Sequence, residues 1–250
     1  MTPFKLIAAA VVMIAVGMGT VYAFDQLEDA ERASDFAEEL SEGENRPVLD
    51  VDGHTVTHKD YIHETAAVDY TLKETTADLE AGSTDAALQE NHEDWSAVVE
   101  DIGVETVALG SLISETAAYK WAIDQGFKPS EEEVAEEVET LKKVSANFEG
   151  RDRTVIGTIA DQLGEDIYWN EVVYSVTERR MTLSRARLDF MRDVEGSRNA
   201  SPEAFAAWEE HIVDITESAE VEILDSERID SEAVDRALEY VVEDYSEFRQ

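Results

Sequence analysis

The stretch that decides the fold is VLDVDGHTVTHKDY, residues 48–61. Two short runs rich in valine and threonine flank the dipeptide Asp52-Gly53, which is a strong signal for a two-residue hairpin turn. Thr57 is placed to cap a helix, and Asp60, three residues later, is its capping-box partner. The stretch therefore predicts a small β hairpin that leads directly into a helix.

Most of the remaining chain is patterned for helices, because apolar residues recur every three or four positions. One helix follows Thr57 and ends before Gly82, one begins with the capping box of Ser130 and Glu133, and one opens at Ser201-Pro202. Further helices are predicted over 85–101, 105–125, 152–163, 165–192 and 231–248. Only AEVEIL, residues 219–224, alternates as a strand does. The predicted fold class is therefore mainly α with very little sheet.

The composition indicates a folded chain with a very acidic surface. Of 250 residues, 58 are acidic and 20 basic, which gives a net charge of -38, while 43% are hydrophobic. Such a surface repels nucleic acid and anionic lipid headgroups. It is also typical of salt adaptation, because in molar salt the Debye length falls to about 3 Å and dense like charges are tolerated. An ordinary acidic surface is the alternative.

The pattern of the N-terminus predicts export. Lys5 precedes the uncharged run LIAAAVVMIAVGMGTVYA, residues 6–23, which predicts an N-terminal hydrophobic helix. Val21-Tyr22-Ala23 fits a signal-peptidase site, so residues 1–23 are either a cleaved signal peptide or a membrane anchor. Both alternatives export the rest of the chain. Residues 24–47 follow as a predicted acidic linker or stalk with a weak helical pattern.

Four motifs occur in an order that is similar to a known family. They are the hairpin VDGHTVT (51–57), then GFKPSEEEV (126–134), QLGEDIYWNEV (162–172) and FAAWEEHIVDITESAEVEIL (205–224). This order resembles the chaperone domain of SurA- and PrsA-type extracytoplasmic foldases, a domain that is itself similar to the peptide-binding part of trigger factor. The resemblance covers residues 48–224, and residues 225–250 are left as a C-terminal helix.

The resemblance implies both a topology and a function. In that family the early hairpin pairs with the late strand, so residues 48–51 and 221–224 are expected to be neighbours. The family's parvulin-type prolyl isomerase module would be inserted between the long helix and the closing helix. Here that junction, 193–200, has only eight residues, so no such module fits. What the resemblance implies is the chaperone part alone.

The sequence offers no catalytic or metal-binding constellation. It contains no cysteine, no G-x-S-x-G, no Walker A loop and no G-x-G-x-x-G. His54, His58 and His63 cluster, but on a helix residues 58 and 63 point about 140° from each other, which does not suit a shared metal ion. We therefore predict no catalytic residue, no metal and no cofactor.

Two groups of residues are candidates for peptide binding. The long helix holds five arginines between residues 176 and 192; they either form surface ion pairs with acidic neighbours or contact carboxylates on client chains, with Arg180 and Arg187 as candidates. Tyr168, Trp169 and Phe190 are candidates for an apolar lining, the alternative being that they pack in the core.

The functional hypothesis is an exported, non-catalytic chaperone-like protein of the cell envelope, secreted or membrane-anchored through residues 6–23. Its partners would be unfolded or newly translocated polypeptides. Two alternatives stay open: a divergent peptidyl-prolyl cis-trans isomerase, and an envelope adaptor that docks one fixed partner.

Overall fold

A computed structural model describes residues 26–80, 82–83, 85–195 and 201–246 of the chain. The predicted signal peptide or anchor, 1–23, lies outside these residues. None of the helices in the described ranges combines the length and the apolar character that crossing a membrane requires.

The described residues are mainly helical with one small antiparallel sheet, which confirms the predicted fold class at this level. The first part contains α1 (Gln26–Ser41), β1 (Pro47–Val51), β2 (His54–Thr57) and α2 (His58–Glu80). The middle part contains α3 (Ala86–Ile102), α4 (Val104–Asp124), α5 (Glu131–Ser145) and α6 (Gly150–Leu163). The last part contains α7 (Glu165–Ile167), a π-helical segment (Tyr168–Val173), α8 (Tyr174–Glu195), α9 (Pro202–Ser218), β3 (Val221–Ile223) and α10 (Ser231–Ser246).

The described chain forms two compact units, each assembled from three separate stretches. The first unit comprises 26–43, 62–104 and 130–177; the second comprises 44–61, 105–129 and 178–246. The sequence instead predicts one domain over 48–224 followed by a separate C-terminal helix. In the structure α10 belongs to the second unit, because its apolar face joins the core of that unit.

In the first unit, α1 is a packed helix. The sequence predicts an acidic linker over 24–47, but α1 lies against α6 and buries an apolar stripe. The ring of Phe36 lies 4.9 Å from that of Tyr70, and Arg32 Nε donates to Glu74 Oε1 at 2.8 Å. The buried residues of α1 are Ala33, Phe36, Ala37 and Leu40. Residues 26–41 are therefore part of the first unit and not a linker.

The capping box predicted at the start of α5 is confirmed. Ser130 Oγ accepts from the backbone N–H of Glu133, and Glu133 Oε2 accepts from the backbone N–H of Ser130. These bonds satisfy two backbone donors that a helix start leaves unpaired. The same helix buries Val134, Val138 and Leu141 on one face.

The predicted hairpin is confirmed in the second unit. Asp52 (φ 53°) and Gly53 (φ 79°) both adopt the left-handed conformation that a type I′ turn requires. Thr57 and Asp60 form the predicted cap, since the Thr57 N–H donates to Asp60 Oδ2 at 2.8 Å and the Asp60 N–H donates to Thr57 Oγ1 at 3.2 Å.

The pairing of the hairpin with the distant strand is also confirmed. The sheet has the order β2-β1-β3, and β1 pairs antiparallel with β3, with Leu49 opposite Ile223 and Val51 opposite Val221. Asp52 extends this contact, because its N–H donates to Glu220 O at 3.0 Å and its Oδ1 accepts from the Glu220 N–H at 2.9 Å. The sheet therefore joins the start and the end of the second unit.

The core of the second unit lies between the sheet, α4 and α10. Leu49 is fully buried, and Gly110 of α4 approaches α10 so closely that an added Cβ would lie 2.9 Å from Ala237 O. The hydroxyls of Ser114 and Thr216 bond to each other at 3.0 Å inside this core. The cluster consists of Val48, Leu49, Val51, Val56, Leu109, Leu112, Ile113, Ala117, Ile229, Val234 and Ala237.

A charged network also connects the start and the end of the second unit. Asp225, only 5% exposed, lies 3.1 Å from Arg46 Nε and 3.5 Å from Arg228 Nε, measured at its Oδ2. Arg228 Nη1 donates to the Nε2 atom of His58, a residue 170 positions away, at 2.8 Å. Its Nη2 lies 3.4 Å from Glu44 Oε2. Because an arginine only donates, His58 accepts this bond as a neutral imidazole.

Candidate peptide-binding surface

Five ring-bearing residues of the second unit form what we call the aromatic cluster: Trp121, Phe127, Phe190, Trp208 and His211. They come from the end of α4 and the turn that follows it, from the C-terminal part of α8 and from the middle of α9. Trp208 and His211 are three residues apart, which places them on one face of α9.

The C-terminus of α4 brings Phe127 back onto Trp121. Gly126 (φ 86°) ends the helix in the left-handed conformation, and the N–H of Phe127 donates to Ala122 O at 3.0 Å. This is the hydrogen bond of a Schellman motif, which turns the residue after the glycine towards the helix. The rings of Phe127 and Trp121 are then 6.4 Å apart.

His211 is at the centre of the cluster. Its ring stacks on Phe190 at 4.7 Å and 12°, and it meets Trp121 edge-on at 4.7 Å and 79°. Phe190 also meets Trp208 in a T-shaped contact at 5.6 Å. Offset-stacked and edge-to-face pairs of this kind each stabilise by about 0.5–1.5 kcal/mol beyond their area burial. The rings therefore hold one another in place.

The aromatic cluster is only half-buried. Trp208 is 9% exposed, whereas the other four members all retain partial solvent exposure. Partly exposed rings offer apolar area to a partner while their positions remain fixed. This arrangement suits shallow apolar contact and not the enclosure of a small molecule.

The charge state of His211 keeps this surface apolar. Burial lowers the pKa of His211 below its ordinary value, and Asp214 only partly opposes this effect. Its Nε2 atom is buried, with no hydrogen-bond partner among the described residues. A neutral imidazole is therefore the form that the aromatic cluster favours.

An ionic group lies beside the cluster. Lys128, which follows Phe127, lies 3.0 Å from Glu178 Oε1, and the Tyr119 hydroxyl donates to the same carboxylate oxygen. Burial acts to raise the pKa of Glu178, but the hydrogen bonds from Tyr119 and Lys128 outweigh it and hold that pKa below its ordinary value. Burial and the bond to Glu178 raise the pKa of Tyr119. The carboxylate is therefore held ionised and the phenol protonated.

Three of the predicted site residues lie in the second unit. Phe190 belongs to the aromatic cluster, and the Arg187 guanidinium lies 5.9 Å from the ring centre of Phe205 on α9. Arg180 is partly buried and engaged with other residues. Nearby, Arg179 Nη1 lies 3.3 Å from Glu115 Oε2. This pair is of the kind expected if the arginines of α8 pack among acidic neighbours.

The other two predicted residues, Tyr168 and Trp169, lie in the core of the first unit. Tyr168 is 1% and Trp169 7% exposed, and their rings meet in a T-shaped contact at 4.9 Å. Burial raises the pKa of Tyr168 to about 12. Both residues lie at the start of the π-helical segment, where the wider turn changes the facing of side chains relative to regular helical spacing. In this conformation they do not line an exposed surface.

The clustered histidines are occupied by contacts within the protein. His54 meets Tyr119 edge-on at 5.6 Å, His58 bonds Arg228, and His63 Nε2 lies 3.1 Å from Leu40 O. Within the described ranges no group of three or more histidine and acidic side chains is arranged to hold a metal ion.

Sequence reasoning missed most of the aromatic cluster. Phe190 is the only one of its five members among the candidates predicted from the sequence. The signals were the Trp208/His211 spacing on one face of α9 and the glycine that turns Phe127 back. Leu188, which follows Arg187 in α8 and is 58% exposed, is not among those candidates either.

The histidines of the second unit predict a pH dependence. Burial and the Arg228 guanidinium hold the pKa of His58 below 6.5, while Glu44 and Asp225 oppose the shift and Arg46 adds to it. Burial also lowers the pKa of His54 and His211. A lowered folded-state pKa means that stability is fully present above the unfolded pKa, about 6.5, and is lost as pH falls through the folded value.

We therefore expect the urea midpoint of the second unit to decrease when the pH is lowered from 7.5 to 5.5. His58→Gln keeps an acceptor for Arg228 but cannot be protonated, so its midpoint should change less with pH. Hydrogen exchange of peptides from the second unit would measure the urea midpoint of both proteins, the unchanged chain and His58→Gln. An equal pH slope in the two proteins would contradict the assignment of His58.

Comparison with protein-family models, with curated proteins and with solved structures finds no match for this chain.

Proposed function

We propose that the protein is an exported, non-catalytic chaperone-like protein that binds unfolded or newly translocated polypeptides. The observation that carries the proposal is the half-buried aromatic cluster, whose rings provide apolar surface. The order of the sequence motifs and the β1-β3 pairing that the family resemblance implies support it further.

The distribution of charge supports placing client contacts on the second unit. Ranges 26–43, 62–104 and 130–177 hold 30 acidic and 6 basic residues, whereas 44–61, 105–129 and 178–246 hold 26 and 12. The unit with the aromatic cluster is thus the less acidic one. A strongly acidic exterior would keep a complex with an apolar client in solution.

Suppression of client aggregation tests the proposal. The purified protein is added to a chemically denatured client as the denaturant is diluted, and light scattering is followed at low salt and in molar salt. We expect scattering to fall with increasing protein concentration in at least one of these conditions. No suppression at any salt concentration would overturn the proposal.

Two further assays separate the alternative functions. A protease-coupled proline isomerisation assay should show no rate above the uncatalysed background. The uncatalysed isomerisation takes about tens to hundreds of seconds at 25 °C. Pull-down should recover a spread of polypeptides. Catalysis would favour an isomerase, and recovery of one stoichiometric partner would favour an adaptor.

A pair of matched double variants locates the client surface. Leu188→Ser with Phe127→Ser removes exposed or half-exposed apolar side chains from the second unit; Val144→Ser with Ile167→Ser does so in the first. We expect the first pair to weaken client binding about tenfold, which corresponds to about 1.4 kcal/mol, and the second pair to leave it unchanged. Equal losses would contradict a surface confined to the second unit.

Export is part of the same proposal and rests on residues 6–23. Sequencing the N-terminus of protein recovered from its native cells tests it. A chain that starts at Phe24 supports a cleaved signal, and an intact chain in the membrane fraction supports an anchor. Recovery of the intact chain from the cytosol would contradict export.

A further inference from the structure

We propose that the outer edge of β3 receives an extended segment of the client as a fourth strand of the sheet. The inference rests on the proposed function, because it specifies how an unfolded polypeptide would be held. The expected ligand is a segment in which apolar residues alternate with lysine or arginine.

The register of the sheet shows which backbone groups face outward. Val48 O accepts from the Leu224 N–H at 2.9 Å, and Glu220 O accepts from the Asp52 N–H at 3.0 Å. In an antiparallel pair these bonds alternate along the strand, so residues 220, 222 and 224 bond towards β1. The N–H and C=O groups of Val221 and Ile223 therefore point away from β1.

These outward groups have no hydrogen-bond partner in the part of the chain that the structure describes. The sheet ends at β3, and neither Val221 nor Ile223 is bonded on its outer side. Two donors and two acceptors thus stand in a row along the edge. An extended backbone is the ligand whose own groups match that row.

The opposite edge of the sheet is a poorer receptor. On β2 the outward positions are Thr55 and Thr57, and the Thr57 N–H already donates to Asp60 Oδ2. Only Thr55 keeps both of its outward groups available before the chain enters α2. The proposal therefore concerns β3 alone.

Side chains along β3 specify the composition of the ligand. Val221 and Ile223 face the core of the second unit, so residues opposite them would face the same apolar side. Glu222 is exposed on the other face, and Glu220 and Leu224 are exposed at the ends of the strand. A lysine or arginine opposite Glu222 would pair with its carboxylate. Because β3 has only three residues, the added pairing would be short and readily reversed.

Amide exchange tests the inference directly on the full chain. The probe is a blocked seven-residue peptide of alternating valine and lysine, with two controls: the same peptide N-methylated at alternate residues, and one with glutamate in place of lysine. When the peptide binds, the hydrogen exchange of the Val221 and Ile223 amides should slow at least tenfold. The Glu222 amide, which faces β1, is protected in both states and should change little.

Matched proline variants provide the second test. Ile223→Pro removes an outward donor without breaking a bond to β1, and edge strands tolerate proline at such positions. Thr55→Pro makes the same change on the opposite edge. We expect Ile223→Pro to weaken peptide binding about tenfold, and Thr55→Pro to leave it unchanged, with the melting temperature as the check on folding.

Two outcomes would overturn the inference: binding that leaves the amides of Val221 and Ile223 unprotected, or equal binding of the N-methylated peptide. If the protein still suppresses client aggregation in that case, the proposed function stands and only the strand-addition mode falls. If aggregation suppression is absent but the peptide adds to β3, the reverse conclusion follows.

Discussion

Replacing Gly110 with valine is expected to destabilise the second unit by about 3 kcal/mol or more, because the close contact of α4 with α10 leaves no room for a side chain. A Cβ at this position would lie 2.9 Å from the backbone carbonyl oxygen of Ala237 and 3.1 Å from Cγ2 of Val241. A backbone oxygen cannot move aside as the tip of a side chain can, so the helices must separate. Overpacking of a close-packed core commonly costs about 1–3 kcal/mol, and valine adds two further methyl groups.

Gly110→Ala tests the same contact with a smaller change. Alanine favours a helix interior by about 1 kcal/mol over glycine, so an open site would become more stable. At position 110 the clash should reverse the sign. Gly157, in the middle of α6, supplies the matched control, because an added Cβ there meets no atom within 4 Å. We expect Gly157→Ala to stabilise the first unit by about 0.5–1 kcal/mol.

Urea unfolding with hydrogen exchange read separately for the two units would measure these effects. The unfolding free energy of each unit should be compared, since a chain with two units need not unfold in one step. A Gly110→Val protein as stable as the unchanged chain would contradict the close approach of α4 and α10. Stabilisation by both alanine substitutions would contradict it equally.

The parts of the fold that local chemistry determines were predictable from sequence. The hairpin at Asp52-Gly53 follows from residues that tolerate a positive φ, and the start of α5 follows from the spacing of Ser130 and Glu133. Pairing of β1 with β3 is not local. It was expected only because the order of motifs resembles a family in which the two strands meet.

Packing between distant segments was less predictable. The apolar stripe Ala33, Phe36, Ala37 and Leu40 was visible, yet the acidic residues around it favoured a linker. Its partner α6 lies more than a hundred positions along the chain, and nothing in α1 itself indicates that partner. The division into two units was difficult to predict for the same reason, because each unit is assembled from three separate stretches.

The exposure of the candidate surface was also difficult to predict from the sequence. A wide apolar arc on one helix does not reveal which of its residues will be covered by other helices. Phe190 is partly exposed beside the α9 rings of Trp208 and His211, whereas Tyr168 and Trp169 of the π-helical segment are buried. Both outcomes depend on tertiary contacts and on a helical irregularity that composition does not encode.

Leu49→Ala is expected to destabilise the second unit by about 3 kcal/mol and to loosen the contact between β1 and β3. Leu49 is fully buried on the central strand, opposite Val56 on one side and Ile223 on the other. Removing a buried leucine side chain costs the transfer energy of the lost methyl groups and leaves a cavity, together about 2–5 kcal/mol. Leu188→Ala, at a position 58% exposed, should change stability by less than about 0.5 kcal/mol.

The kinetics should show where in folding this contact forms. β1 and β3 meet across most of the described chain, so closing that loop costs more entropy than forming the hairpin or the single helices. We therefore expect Leu49→Ala to accelerate unfolding and to leave the folding rate nearly unchanged, since interactions absent from the transition state affect mainly the unfolding rate. Stopped-flow urea jumps would measure both rates. A folding rate slowed in proportion to the lost stability would place the pairing of β1 and β3 early, and the second unit would then be nucleated by its sheet and not by its helices.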